Sequence, residues 1–145
     1  MGRRRGDGRG WAALAVLGAL VTPDGAQGQT VPALREHRWK HRLVVVLAPD
    51  SAHAAYRTQM AELARHREAL GERDVRVIPA PADDARTRTL RRQLAVPDGE
   101  FRVVLVGKDG LPKLRRRAPL AVDELLRTID GMPMGAAEAR RRAGR

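Results

Sequence analysis

The feature that most constrains this chain is the run from Arg42 to His53. Arg42-Leu43-Val44-Val45-Val46-Leu47-Ala48 places five branched aliphatic residues in seven positions. An uninterrupted apolar stretch of that length predicts a strand buried on both faces, which requires helices on either side of its sheet. Pro49, Asp50 and Ser51 break the run, and a helix is expected from about Ser51 to Leu70. In open α/β folds the turn after a central strand is where ligands and chemistry usually sit. What this turn can do is narrowed at once, because the chain has no cysteine and Ser51 is its only serine.

The length of 145 residues suits one domain with a real core. Aromatic residues are limited to Trp11, Trp39, Tyr56 and Phe101, so the core must come from Val, Leu, Ile and Ala. The formal charge is +11, nearly all from arginine, since Lys40, Lys108 and Lys113 are the only lysines. Such a chain favours an anionic partner. Arg3, Arg4, Arg5 and Arg9 precede an apolar run from Trp11 to Val21, which has the length of a signal-peptide core and is short for a membrane span. Residues 1–28 are therefore expected to be a signal peptide cleaved after Gly28, with Ala26 as second choice and an uncleaved anchor as the alternative. The chain is then exported, periplasmic or secreted, with a mature charge of +9 and no transmembrane helix. Export argues against nucleic acid as a partner and leaves an anionic envelope component or another envelope protein. Lack of cysteine leaves packing alone to hold the domain.

Residues 29–41 form a polar lead-in, with a helical turn expected over Leu34 to Trp39 and Trp39 covering an edge of the core. His37 and His41 have a metal-ligand spacing without a third ligand nearby, so neither a metal nor a cofactor is assigned. After the first strand, Tyr56, Met60, Leu63, Ala64 and Leu70 share one helix face, ended by Gly71. Val75 to Pro79 is a second strand, parallel to the first. Asp83 and Asp84 start a helix running to about Ala95, held mainly by Leu90 and Leu94, with Arg86, Arg88, Arg91 and Arg92 solvated. Phe101 to Val106 and Lys113 to Arg117 flank a Gly107-Lys108-Asp109-Gly110 hairpin turn, and Arg115 to Arg117 protect a sheet edge. Ala121 to Met132 is an amphipathic helix, and residues 134–145 are expected to be a mobile basic tail. This order predicts an α/β fold: a thioredoxin-like, three-layer βαβαββα domain over residues 42–133 with a mixed four-stranded sheet in the order 2-1-3-4.

Several segments together resemble a known family. They are Trp39-Lys40 before the first strand, Ala48-Pro49-Asp50 after it, and Glu72-Arg73-Asp74 before the second strand. To these add Val103 to Gly110 with Lys113-Leu114-Arg115, and Ile129-Asp130-Gly131-Met132-Pro133-Met134. From roughly Leu34 to Arg142 the chain resembles the bacterial "domain of unknown function 4174" family. The resemblance implies an exported thioredoxin-like domain, related to domains of animal extracellular sushi-repeat proteins, and implies no reaction. It marks Trp39, Lys40, Lys108, Asp109, Lys113, Met132, Pro133 and Met134 as motif residues of unassigned role. Where relatives tend to follow Met-Pro-Met with Arg-Arg-x-Glu-Met, this chain has Gly135-Ala136-Ala137-Glu138-Ala139.

Thioredoxin chemistry needs a low-pKa thiolate after the first strand. Asp50-Ser51-Ala52-His53 stands there instead, so disulfide exchange and cysteine-based peroxide reduction are excluded. The proline expected just before the third strand is also absent, with Phe101-Arg102 in its register. A serine nucleophile needs a base in reach and a third group orienting it. Ser51 and His53, two residues apart on a helix, would point in different directions, and Asp50 or Ser51 as a helix cap accounts for the turn more simply. The leading reading is a binding or interaction module, with Asp50, Ser51 and His53 as candidate binding residues. Its rivals are a non-thiol, hydrolase-like enzyme at that turn and a structural envelope protein.

Overall fold

The computed structural model describes residues 32–145, so the expected signal peptide and cleavage site lie outside the described residues. A short helix α1 (Pro32–Glu36) leads into β1 (Arg42–Leu47), followed by α2 (Ala54–Arg65), α3 (Arg67–Gly71) and β2 (Val75–Ala80). Next come α4 (Ala85–Gln93), the hairpin β3 (Arg102–Val106) and β4 (Pro112–Arg116), then α5 (Val122–Asp130) and α6 (Pro133–Ala143). The sheet order is β2-β1-β3-β4, as expected, with β1 and β2 parallel and the other pairs antiparallel. The layout is consistent with a thioredoxin-like arrangement.

Alternation along β1 divides the interior into two cores. Val44 and Val46 join Val103 and Leu105 against Leu63, Leu70, Leu125 and Ile129 of α2, α3 and α5. Leu43, Val45 and Leu47 join Val104, Val106 and Ile78 against Leu90 and Leu94 of α4. Every residue of β1 is buried, which explains its unbroken apolar sequence.

Five local expectations are corrected. The helix expected from Ser51 to Leu70 starts at Ala54 and breaks at His66. There the ring Nδ1 lies 2.9 Å from the Glu62 carbonyl, while the His66 N–H donates to Leu63 instead. The side chain thus takes the acceptor that a continuing helix would use. At the preceding turn, Asp50 does not cap the helix; its Oδ1 accepts from the Ala52 N–H at 2.8 Å, and His53 occupies the cap position without a side-chain bond. Arg91, expected in solvent, is buried and donates to the Pro97 and Glu100 carbonyls at 2.6 and 2.9 Å, tying down the loop before β3. Trp39 does not cover the core: it is 61% exposed.

The largest correction concerns residues 134–145. The expected mobile tail is instead the docked helix α6, which packs on α5. Two arrangements hold it. Gly135 is buried where α6 crosses the end of α5, and Glu138 reaches back to the first strand at Arg42.

Candidate functional site

The turn after β1 is built as a structural corner. The Asp50 carboxylate is engaged by the Ala52 N–H, Ser51 is exposed, and the His53 ring stacks on Phe101 with centroids 5.7 Å apart and planes 4° from parallel. Among the described residues no hydrogen bond joins Ser51 to His53. The three candidate residues therefore do not form a nucleophile, base and orienting group. His53 Nδ1 is buried without a partner, which leaves that ring as the turn's one chemical peculiarity.

The opposite end of the sheet carries a different assembly. Antiparallel pairing places the end of β3 beside the start of β1 (Val106 opposite Leu43), and parallel pairing sets Val75 opposite Arg42. Trp39, Arg42, Gly107, Lys108, Asp109, Lys113, Met132, Pro133 and Met134 line a groove of about 360 Å³ there. Trp39 stands on its lip with a backbone φ of 65°. A left-handed conformation is a genuine outlier for so bulky a residue and costs on the order of 1–3 kcal/mol. It is held by the Trp39 N–H, which donates to the Lys108 carbonyl at 2.6 Å. Lys113 enters through an irregularity of the β3–β4 ladder: Leu114 pairs with Leu105 and Pro112 with Val106, leaving Lys113 as the unpaired residue of a bulge. Gly107 makes room for it, since a Cβ there would lie 2.7 Å from Lys113 Cε.

The matching family can now be stated. Residues 33–138 match the family described as "Domain of unknown function (DUF4174)". The chain belongs to this family. No curated protein matches it.

In this DUF4174 domain, seven of the eight motif residues singled out in the sequence line the one groove: Trp39, Lys108, Asp109, Lys113, Met132, Pro133 and Met134. Lys40 is exposed and does not line it. Asp50, Ser51 and His53 stand at the far end of β1, roughly 20 Å away by the rise of a six-residue strand.

Beneath the groove lies an ion network. Arg42, only 1% exposed, donates through Nη1 to the Arg73 carbonyl at 2.9 Å and to Glu138 Oε2 at 2.8 Å. Lys108 Nζ donates to Glu138 Oε1 at 2.6 Å and Asp74 Oδ2 at 2.8 Å. Arg73 grips Asp130 through two bonds of 2.9 Å, and Arg142 joins the same carboxylate at 3.2 Å. The Lys108 bond lowers the pKa of Asp74, and the Arg73 bond lowers that of Asp130. Burial alone would raise Glu138, but its bonds to Lys108 and Arg42 outweigh that and leave it lowered. Lys113 Nζ likewise holds Asp109 low through a 2.6 Å bond.

Sequence reasoning missed Arg42, Arg73, Asp74, Asp130 and Glu138 as members of this assembly. One signal was present: an arginine heading a fully apolar strand must find a counter-charge if buried. Its partner, 96 positions along the chain, could not be named. His37 and His41 approach with Nδ1 atoms 3.1 Å apart. Among the described residues no group of three or more His, Asp or Glu side chains is arranged to hold a metal ion.

Proposed function

We propose that this DUF4174 domain is an exported binding module without thiol chemistry, and that its binding surface is the groove at the Arg42 end of the sheet. The observation that carries this reading is Trp39. A tryptophan 61% exposed, in a strained backbone conformation and pinned to Lys108 at the lip of a concavity, is arranged for contact rather than for packing. The concavity itself lies within the size range of small-molecule sites, roughly 300–1,000 Å³. Its partner is an anionic component of the envelope, in keeping with the mature charge of +9.

The test uses anilinonaphthalene sulfonate, an apolar anion that brightens when it leaves water. The full chain should bind it saturably. Trp39→Ala should weaken that binding about tenfold, a loss of roughly 1.4 kcal/mol, while the Asp50→Ala, His53→Ala double variant should bind like the parent. Equal binding by Trp39→Ala would overturn the groove as the site, and loss confined to the double variant would return it to the turn after β1. Export has its own check. Protein recovered from the extracytoplasmic fraction should begin at Gln29 on amino-terminal sequencing, whereas a start at Met1 would show a retained leader.

A further inference from the structure

The interior of the groove holds hydrogen-bond donors that the chain itself leaves unspent. Its walls carry Arg42, Lys108, Lys113 and Asp109, and Glu138 and Asp74 engage the first two cations from beneath. Arg42 uses its Nη1 twice, yet its buried Nε–H has no acceptor. Buried guanidinium donors are seldom left so. Lys113, which the bulge and Gly107 bring to the groove, bonds only Asp109 among the described residues, so two of its three ammonium protons remain available.

The start of α6 adds to these donors. Met132 provides no side-chain cap and Pro133 has no N–H, so the positive end of an eleven-residue helix meets the groove without a built-in acceptor. The rim is of opposite character. Trp39 and Met134 are two of the three large hydrophobic residues exposed among the described residues, at 61% and 42%, and both line this groove. A bare inorganic anion would leave both in water. A neutral apolar ligand would leave two Lys113 protons and the helix start without an acceptor, and a cation would meet those same donors.

Resting on the reading of the groove as the binding surface, the geometry points to a small apolar carboxylate as its occupant. An aryl or branched body packs between Trp39 and Met134, and the carboxylate meets Lys113 and the first turn of α6. The volume of about 360 Å³ suits a free acid of modest size rather than a length of peptide.

Trp11 and Trp39 are the only tryptophans, so the full chain carrying Trp11→Phe reports from Trp39 alone. In that background, phenylbutyrate, phenylbutanol and phenylbutylamine are titrated against tryptophan emission. The acid should shift Trp39 emission to the blue and bind at least about tenfold tighter than the alcohol, the size expected of one charge-assisted hydrogen bond. The amine should not bind. Lys113→Met should bring the acid to the alcohol's affinity without changing the alcohol, and Lys113→Arg should restore the preference. Equal affinity for acid and alcohol would overturn the carboxylate assignment while leaving the groove intact. Tighter binding of a peptide ending in phenylalanine than of the free acid would keep the carboxylate and overturn the choice of a free acid over a peptide. No emission shift from any of the three, with anilinonaphthalene sulfonate still bound through Trp39, would reject the ligand class alone. Loss of both signals would reject the groove as well.

Discussion

Gly135 is buried at the crossing of α6 over the end of α5, and a Cβ there would collide with the Ile129 carbonyl, which is backbone and cannot turn aside. Gly135→Ala is therefore expected to destabilise the domain by about 3 kcal/mol, as overpacking does in a tight site. Urea titration should show a lower midpoint at unchanged slope, and a midpoint equal to the parent's would show that α6 shifts freely on α5. Other residues were more open to reading. Asp84 was recognisable as a helix cap because acid before a helix has one common use, and its Oδ1 accepts from the Thr87 N–H at 2.7 Å. Trp39 was not recognisable, because its outward position depends on a backbone turn fixed by Lys108, far along the chain.

At the scale of elements, the two central strands were legible because burial on both faces leaves a continuous apolar sequence, and β1 and β3 have one. Helix α6 was hidden for the opposite reason. Its Gly, Ala and Arg sequence has no apolar stripe, and it docks through Gly135, Glu138 and Arg142. Glu138 is thus the side chain that ties the helix to the sheet, bridging Arg42 and Lys108. Glu138→Gln, which keeps the shape and removes the charge, should lose about 3 kcal/mol at neutral pH. The pH dependence follows from the same groups. Asp74, Asp109, Asp130 and Glu138 all have pKa values lowered in the folded state. Their contribution is complete above the unfolded carboxylate values near 4 and is lost as pH falls through the lower folded values. The melting temperature should therefore drop between about pH 5 and pH 2, and drop less steeply in Glu138→Gln. Parallel pH profiles for the two proteins would mean that Glu138 does not contribute to the acid sensitivity.

For the whole molecule, strand order and the two-sided sheet followed from the sequence because each segment had one plausible place once β1 was central. The location of the groove did not follow. Fold analogy directs attention to the end of β1 where thiols would stand, and this chain has filled that corner with an Asp50 turn and a stacked His53. The seven motif residues converge at the other pole, drawn from the lead-in, the hairpin and the α5–α6 junction. Convergence of this kind is a property of three-dimensional closure, which no local pattern carries.

The bond between Arg42 and Glu138 spans 96 positions of the chain. A polypeptide is made and delivered from its amino end, and earlier segments can begin to fold before later ones exist. Strands β1 to β4 can pair before α6 has emerged, but Arg42 and Lys108 then have no Glu138, and the groove has no Met134 wall. The groove is completed only by the last helix, so a chain interrupted before residue 133 would hold all four strands and lack the Met134 wall and the Glu138 bridge.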